Sequence, residues 1–231
     1  SQKFTLRHFE RQSYLFSPDE LAADRRFDLL HDELSDFFPV RDPMRDMEKL
    51  TARTHEEYQI YCDIVRLCPR KTLSIQYLTK ILKGVNKRVR SEGGAFRTQA
   101  MRITRRDSFT ATYFPHWQKC PLLIMGAMEF VCKNIGNRPT LSAVVCLIAV
   151  IHAHPFDDGN GRTSRVMFNI VLYLAGFDLY VPILEFARVS WPSFILKIRR
   201  VLIEDDWRGI LEFLSVAVLL SSEAQGLPAS D

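Results

Sequence analysis

At 231 residues, with 47% hydrophobic and 25% charged side chains, the chain is long and apolar enough to bury a core in one domain, or in one domain with an appended piece. Only 10 glycines are present and strong helix formers are frequent, which points to a mostly α protein. The net charge of +4 keeps nucleic-acid binding open as a competing class, while the absence of a signal peptide or membrane span fits a cytoplasmic site of action, including a host cytosol after secretion.

Residues 1–60 differ in character from the rest. Phe27 to Leu34 is amphipathic, and Pro39 to Asp46 is charged and without periodicity, so this part reads as an N-terminal helical extension that stabilises the remainder, with recognition of a target as the lesser alternative. The chain opens on Ser1 rather than Met, as a piece of a longer protein would. Five cysteines (Cys62, Cys68, Cys120, Cys132, Cys146) form no C-x-x-C pair and are expected as reduced thiols. His8, His31, His55 and His116 lack ligand spacing, so none is assigned to metal.

Phe96 to Ile103 alternates and carries β-formers, so a strand is expected there. Lys83, Lys87, Arg88, Arg90, Arg97, Arg102, Arg105 and Arg106 cluster before and within it without the interleaved aromatics that stack bases. An acidic patch on a target protein suits this cluster better than nucleic acid.

Leu141 to Ala153 is nearly all apolar and follows Pro139-Thr140, a reasonable helix start; it is too short to span a bilayer and reads as a buried helix. A second helix is expected from Gly161 to about Ala175, with Val166, Met167, Ile170, Val171 and Leu174 on one face and Gly176 past its end. Between the two lies His154-Pro155-Phe156-Asp157-Asp158-Gly159-Asn160-Gly161-Arg162-Thr163-Ser164-Arg165. Gly159 and Gly161 permit a tight turn with bare N–H groups, and the helix that follows adds its positive dipole end, which together make an anion cradle. Arg162 and Arg165 can reach a polyphosphate with forked contacts. Asp158 suits Mg2+, which takes one or two carboxylates plus phosphate oxygens and water. His154 has a near-neutral ordinary pKa and is the natural acceptor for a hydroxyl proton. Phe156 is expected to point inward, and Asn160 either to tie the loop backbone or to contact phosphate.

Eight of these positions fit H-x-F-x-[DE]-G-N-G-R-x-x-R, which resembles the signature of the Fic/DOC family, and a chance match is on the order of 10^-10 per starting position. The resemblance extends over about residues 65 to 218. It implies a Fic-type helical bundle with a small β-hairpin flap over the active site, and transfer of AMP from ATP to a Tyr, Thr or Ser hydroxyl of a target protein, with ATP and Mg2+ bound by the loop. Other groups moved by relatives are phosphate, UMP and phosphocholine; Gly161 resembles the AMP-transferring majority rather than the branch with Lys at that step. Leu73 to Leu82, followed by Gly93-Gly94-Ala95-Phe96-Arg97-Thr98, is similar to the helix and G-x-[FY]-R stretch that lead into the flap. By resemblance Phe96, Arg97, Thr98, Gln99, Ala100 and Met101 would dock an extended segment of the target. Asp205 to Leu214 is similar to the closing helix, and Trp191 falls where relatives contact adenine. The implied layout is an extension at 1–60, a Fic domain at 61–220 and a tail at 221–231. No [ST]-x-x-x-E-[GN] inhibitory sequence is found, so restraint would come from a separate protein, from a segment elsewhere, or not at all, and Arg165 would be available to the γ-phosphate.

Overall fold

The computed structural model describes residues 51–70, 73–104, 111–189 and 191–225, the side chains of 102–104, 111–113, 191 and 192 excepted. Phe27 to Leu34 and Pro39 to Asp46 lie outside the described residues. The chain divides into two units, Ile60–Gly176 and a second one drawn from residues 1–59 and 177–231. Helix α1 (Ala52–Leu67) runs through the boundary in sequence.

Ile60–Gly176 is built on four helices. Helix α2 (Ile75–Val89) starts at Ser74, whose side chain accepts from the Tyr77 N–H at 3.1 Å, and buries Leu78, Ile81, Leu82, Val85, Asn86 and Val89 at helical spacing. Its other side carries Lys80, Lys83 and Lys87, all exposed. Helix α3 (Cys120–Asn134) follows a single 3-10 turn at Trp117–Lys119 and has a proline in its first turn. Helix α4 (Pro139–Ala153) begins at its own proline and is buried without interruption from Leu141 to Val150, because α3 covers one side and helix α5 (Asn160–Leu174) another. Helix α2 packs on both α3 and α5. The loop that joins α4 to α5 is thus anchored at both ends in the core. A Leu147→Ala change in α4, where the side chain is fully buried, would cost about 2–5 kcal/mol.

The first expected helix matches α4 closely, and the second starts at Asn160 and ends at Leu174, with Gly176 beyond it at φ 106°. The expected strand is much shorter than its alternation suggests. Residues 96–101 are irregular, and β1 covers Arg102–Thr104 alone, antiparallel to β2 (Ala111–Tyr113) with Ile103 opposite Thr112. Side-chain capture of the backbone before β1, described below, overrides the local pattern. All five cysteines are free thiols.

In the second unit, helix α6 (Ile183–Val189), α7 (Trp191–Glu204) and α8 (Arg208–Ala224) pack together. Glu185 is buried there; its Oε1 accepts from the Thr51 hydroxyl at 2.7 Å and from the Thr54 hydroxyl, while Oε2 pairs with Arg188 at 3.0 Å. Trp207 is buried and donates from Nε1 to Asp205 at 2.8 Å. Helix α8 continues to Ala224, past the expected domain end at 220. No helix among the described residues is long and apolar enough to cross a membrane.

Candidate active site

Helix α4 ends on His154, which takes the left-handed conformation (φ 45°, ψ 57°) while its N–H still donates to the Val150 carbonyl at 3.0 Å. For a residue with a Cβ this conformation costs roughly 1–2 kcal/mol, so its neighbours must enforce it. Arg97 does so. Its side chain is buried, and Nε donates to the His154 carbonyl at 2.7 Å, Nη1 to Gln99 O at 2.6 Å, and Nη2 to Pro115 O and to Ala153 O at 3.4 Å. The Arg97 backbone N–H donates to Pro155 O at 2.8 Å. Helix α4 therefore ends with its unpaired carbonyls on a cation, the arrangement its dipole favours. The Cys120 thiol adds a bond to Ala153 O at 3.1 Å, and burial raises its pKa.

The His154 ring lies half-buried, stacked on Phe114 at 3.8 Å between centroids and 22° between planes. Nδ1 is buried with no hydrogen-bond partner among the described residues. Burial lowers the imidazole pKa from 6.5 to about 4; the Ile151 backbone opposes this, the Arg97 charge lowers it further and Asp158 raises it. The ring is neutral at pH 7. With Nδ1 enclosed, Nε2 is the nitrogen left to take a proton.

Phe156 is buried against Phe96, at 5.6 Å between centroids, as expected for a residue that pins the loop. The two options for Asn160 resolve toward the backbone: Oδ1 accepts from the Phe156 N–H at 3.0 Å and Nδ2 donates to the Phe156 carbonyl at 2.7 Å, with the residue buried. Gly159 stands at φ 80° as the residue before α5 and, having no side chain, supplies no cap of its own. The Gly159 N–H itself is taken by Asp158 Oδ1 at 2.6 Å. The other carboxylate oxygen, Oδ2, pairs with Arg90 at 3.0 Å. Arg162 and Arg165 are half-buried on the first turns of α5, and a Cβ at Gly161 would lie 3.5 Å from Arg165 Nη1, which places that guanidinium back over the start of the helix.

Two expected flap contacts, Arg97 and Phe96, look different in three dimensions. Arg97, expected on a docking face, is turned into the protein, and Phe96 is half-buried under the Lys83 ammonium at 4.5 Å. Thr98, Gln99 and Ala100 are exposed and Met101 is half-buried. Trp191 opens α7, and its side chain lies outside those described.

Sequence reasoning passed over Asn86. Buried on α2, it donates from Nδ2 to the Asp158 carbonyl at 3.0 Å and to the Thr163 hydroxyl at 3.1 Å, and accepts from the Gly94 N–H at 2.8 Å. A polar residue on the apolar stripe Leu78, Leu82, Val85, Val89 was the signal for it.

The family model of the Fic/DOC family matches residues 72–172. This stretch encloses α2, Arg97, α4, the loop and all but the last two residues of α5. A protein adenylyltransferase Fic of Drosophila erecta is 33% identical over 89 residues, which make up 37% of this chain and 17% of that protein. Its namesake in Aedes aegypti is 46% identical over 40 residues, 17% of this chain and 8% of its own length. The match therefore spans a small part of those relatives. A crystal structure of a Fic family protein from Desulfovibrio desulfuricans superposes with a TM-score of 0.57 at 16% identity, covering 96% of this chain and 74% of that one, a likeness of fold.

Proposed function

We propose that the Fic segment transfers AMP from ATP to a Tyr, Thr or Ser hydroxyl of a target protein. The observation that carries this reading is the α4–α5 loop, where a neutral imidazole, an exposed carboxylate and an uncapped helix start carrying two arginines lie within one short stretch. The adenylyltransferase names of the relatives support AMP as the group moved.

The target hydroxyl attacks the α-phosphorus, forming a new P–O bond as the bond to the β-phosphate bridging oxygen breaks and pyrophosphate leaves. His154 accepts the hydroxyl proton at Nε2, a role that requires the ring neutral beforehand. The first-turn amides of α5, with Arg162 and Arg165, bind and orient the polyphosphate. Asp158 is the carboxylate that would hold Mg2+, whose charge when bound offsets that of the phosphates. The exposed run Thr98 to Ala100, Met101, and the β1–β2 pair dock an extended target segment as the flap, and the row Lys80, Lys83, Lys87 and Arg90 on α2 suits an acidic one.

Incubation with a cell lysate and ATP labelled at either the α or the γ position tests the reading. Label should reach protein from α only, and His154→Ala should abolish transfer while ATP still binds. Label from γ alone would mean phosphate transfer, label only with UTP would mean UMP transfer, and transfer by His154→Ala would remove the assigned base.

A further inference from the structure

Arg97 is a buried cation with no carboxylate partner among the described residues; its donors converge on backbone carbonyls, with the Cys120 thiol beside them. These carbonyls are not a random set. Ala153 and His154 close α4, Pro155 accepts from the Arg97 backbone, and Pro115 follows the ring that stacks on the imidazole. Two otherwise separate stretches, the end of α4 and the segment after β2, meet on one guanidinium.

We infer that Arg97 is a positioning residue for His154: it locks the left-handed turn that aims the imidazole and holds Phe114 against the ring's face. The inference rests on the proposed role of His154 as base. A residue at φ 45° with a Cβ relaxes toward ordinary helix or extended backbone unless its carbonyl is held, and Arg97 Nε holds that carbonyl at 2.7 Å. Phe114 is carried by the same device, since Pro115 O is bound to Nη2 and the Phe114 N–H reaches back to Met101 O at 3.4 Å. Arginine suits the task better than lysine, because a planar fork reaches several carbonyls in fixed directions where one ammonium reaches fewer. Its charge also works with burial to keep the ring neutral.

The test uses Arg97→Lys and Arg97→Met in the full chain and compares carbethoxylation by diethyl pyrocarbonate at three histidines, resolved by mass spectrometry. His154 should react several-fold faster in both variants as the ring leaves Phe114, with a smaller rise for lysine. The exposed His116 and the half-buried His152, two residues upstream in α4, should keep their wild-type rates. AMP transfer should lose kcat on the order of a hundredfold with the KM for ATP unchanged, since a small misplacement of a reacting group costs that much. His154 unchanged in both variants, or all three histidines rising in step in both, would overturn the inference. Should Arg97→Met unfold, Arg97→Lys decides alone. A wild-type chain that moves no label from ATP would remove the proposed function, and the histidine rates would still decide the positioning.

Discussion

Replacing Asn86 with alanine removes three hydrogen bonds at once from the α4–α5 loop. Two of the partners, the Asp158 carbonyl and the Gly94 N–H, sit in residues with solvent access, so water can take over and each loss is worth about 1 kcal/mol or less. The third partner, the Thr163 hydroxyl, belongs to a fully buried residue and keeps a desolvation penalty of about 1–3 kcal/mol. Together these give about 3 kcal/mol for opening α2 away from α5, or roughly a hundredfold in an equilibrium constant. Native-state hydrogen exchange over α4 and α5 measures this directly: protection factors in the most protected amides should drop about a hundredfold in Asn86→Ala. Asn86→Asp keeps the acceptor for Gly94 but turns a carboxylate oxygen toward the Asp158 carbonyl, and should fall at least as far. Protection within about threefold of wild type, less than 1 kcal/mol, would refute the idea that this amide ties the loop to the core.

Gly159→Ala meets two costs, a Cβ at φ 80° and a contact of 2.7 Å with Val89 Cγ1, and should lose about 2–5 kcal/mol by the same exchange measurement; a loss under 1 kcal/mol would show that the loop yields freely. His154 is held at about 4 when folded against 6.5 in the ordinary imidazole, so between those values the unfolded chain binds the extra proton. Stability is then complete above pH 6.5 and lost as pH falls toward 4, with burial of His152 adding the same sign, and thermal midpoints that rise on acidification through this range would contradict it. Arg90→Gln frees Asp158 from a surface ion pair and should strengthen the Mg2+ dependence of ATP binding by about two- to fivefold in calorimetry, whereas weaker Mg2+ dependence would make Arg90 a support that orients the carboxylate rather than a competitor for it.

What the sequence displays well is what lies close along the chain. Unbroken apolar residues from Leu141 announce α4, the spacing of Val166, Met167, Ile170 and Val171 announces α5, and Gly176 marks its end because a positive φ is needed there. The residues of the loop could be assigned chemistry from type and spacing alone. Partner choice was not legible. Asn160 had two open roles, and only the folded loop shows its amide closed on both backbone groups of Phe156. The alternation from Phe96 to Ile103 imitates a strand, yet Arg97 lies where carbonyls from α4 and from Pro115 converge, 57 and 18 residues away in sequence. No local pattern carries the position of such acceptors.

The same separation explains why the twelve-residue loop is an incomplete description of the site. Two of its positions, His154 and Gly159, hold left-handed backbone, and each depends on a residue outside it: the first on Arg97, the second on the space left by Val89 and Asn86. Helix α2 supplies no proposed acid, base or phosphate ligand, but it fixes the loop's shape through Asn86 and restrains its carboxylate through Arg90. A chain that kept every residue of the loop but lost Asn86 and Arg97 would retain the chemistry and lose the geometry. The Fic/DOC match over residues 72–172 takes in both supports as well as the loop, which is the span expected if the inherited unit is the supported turn and not the short sequence at its tip.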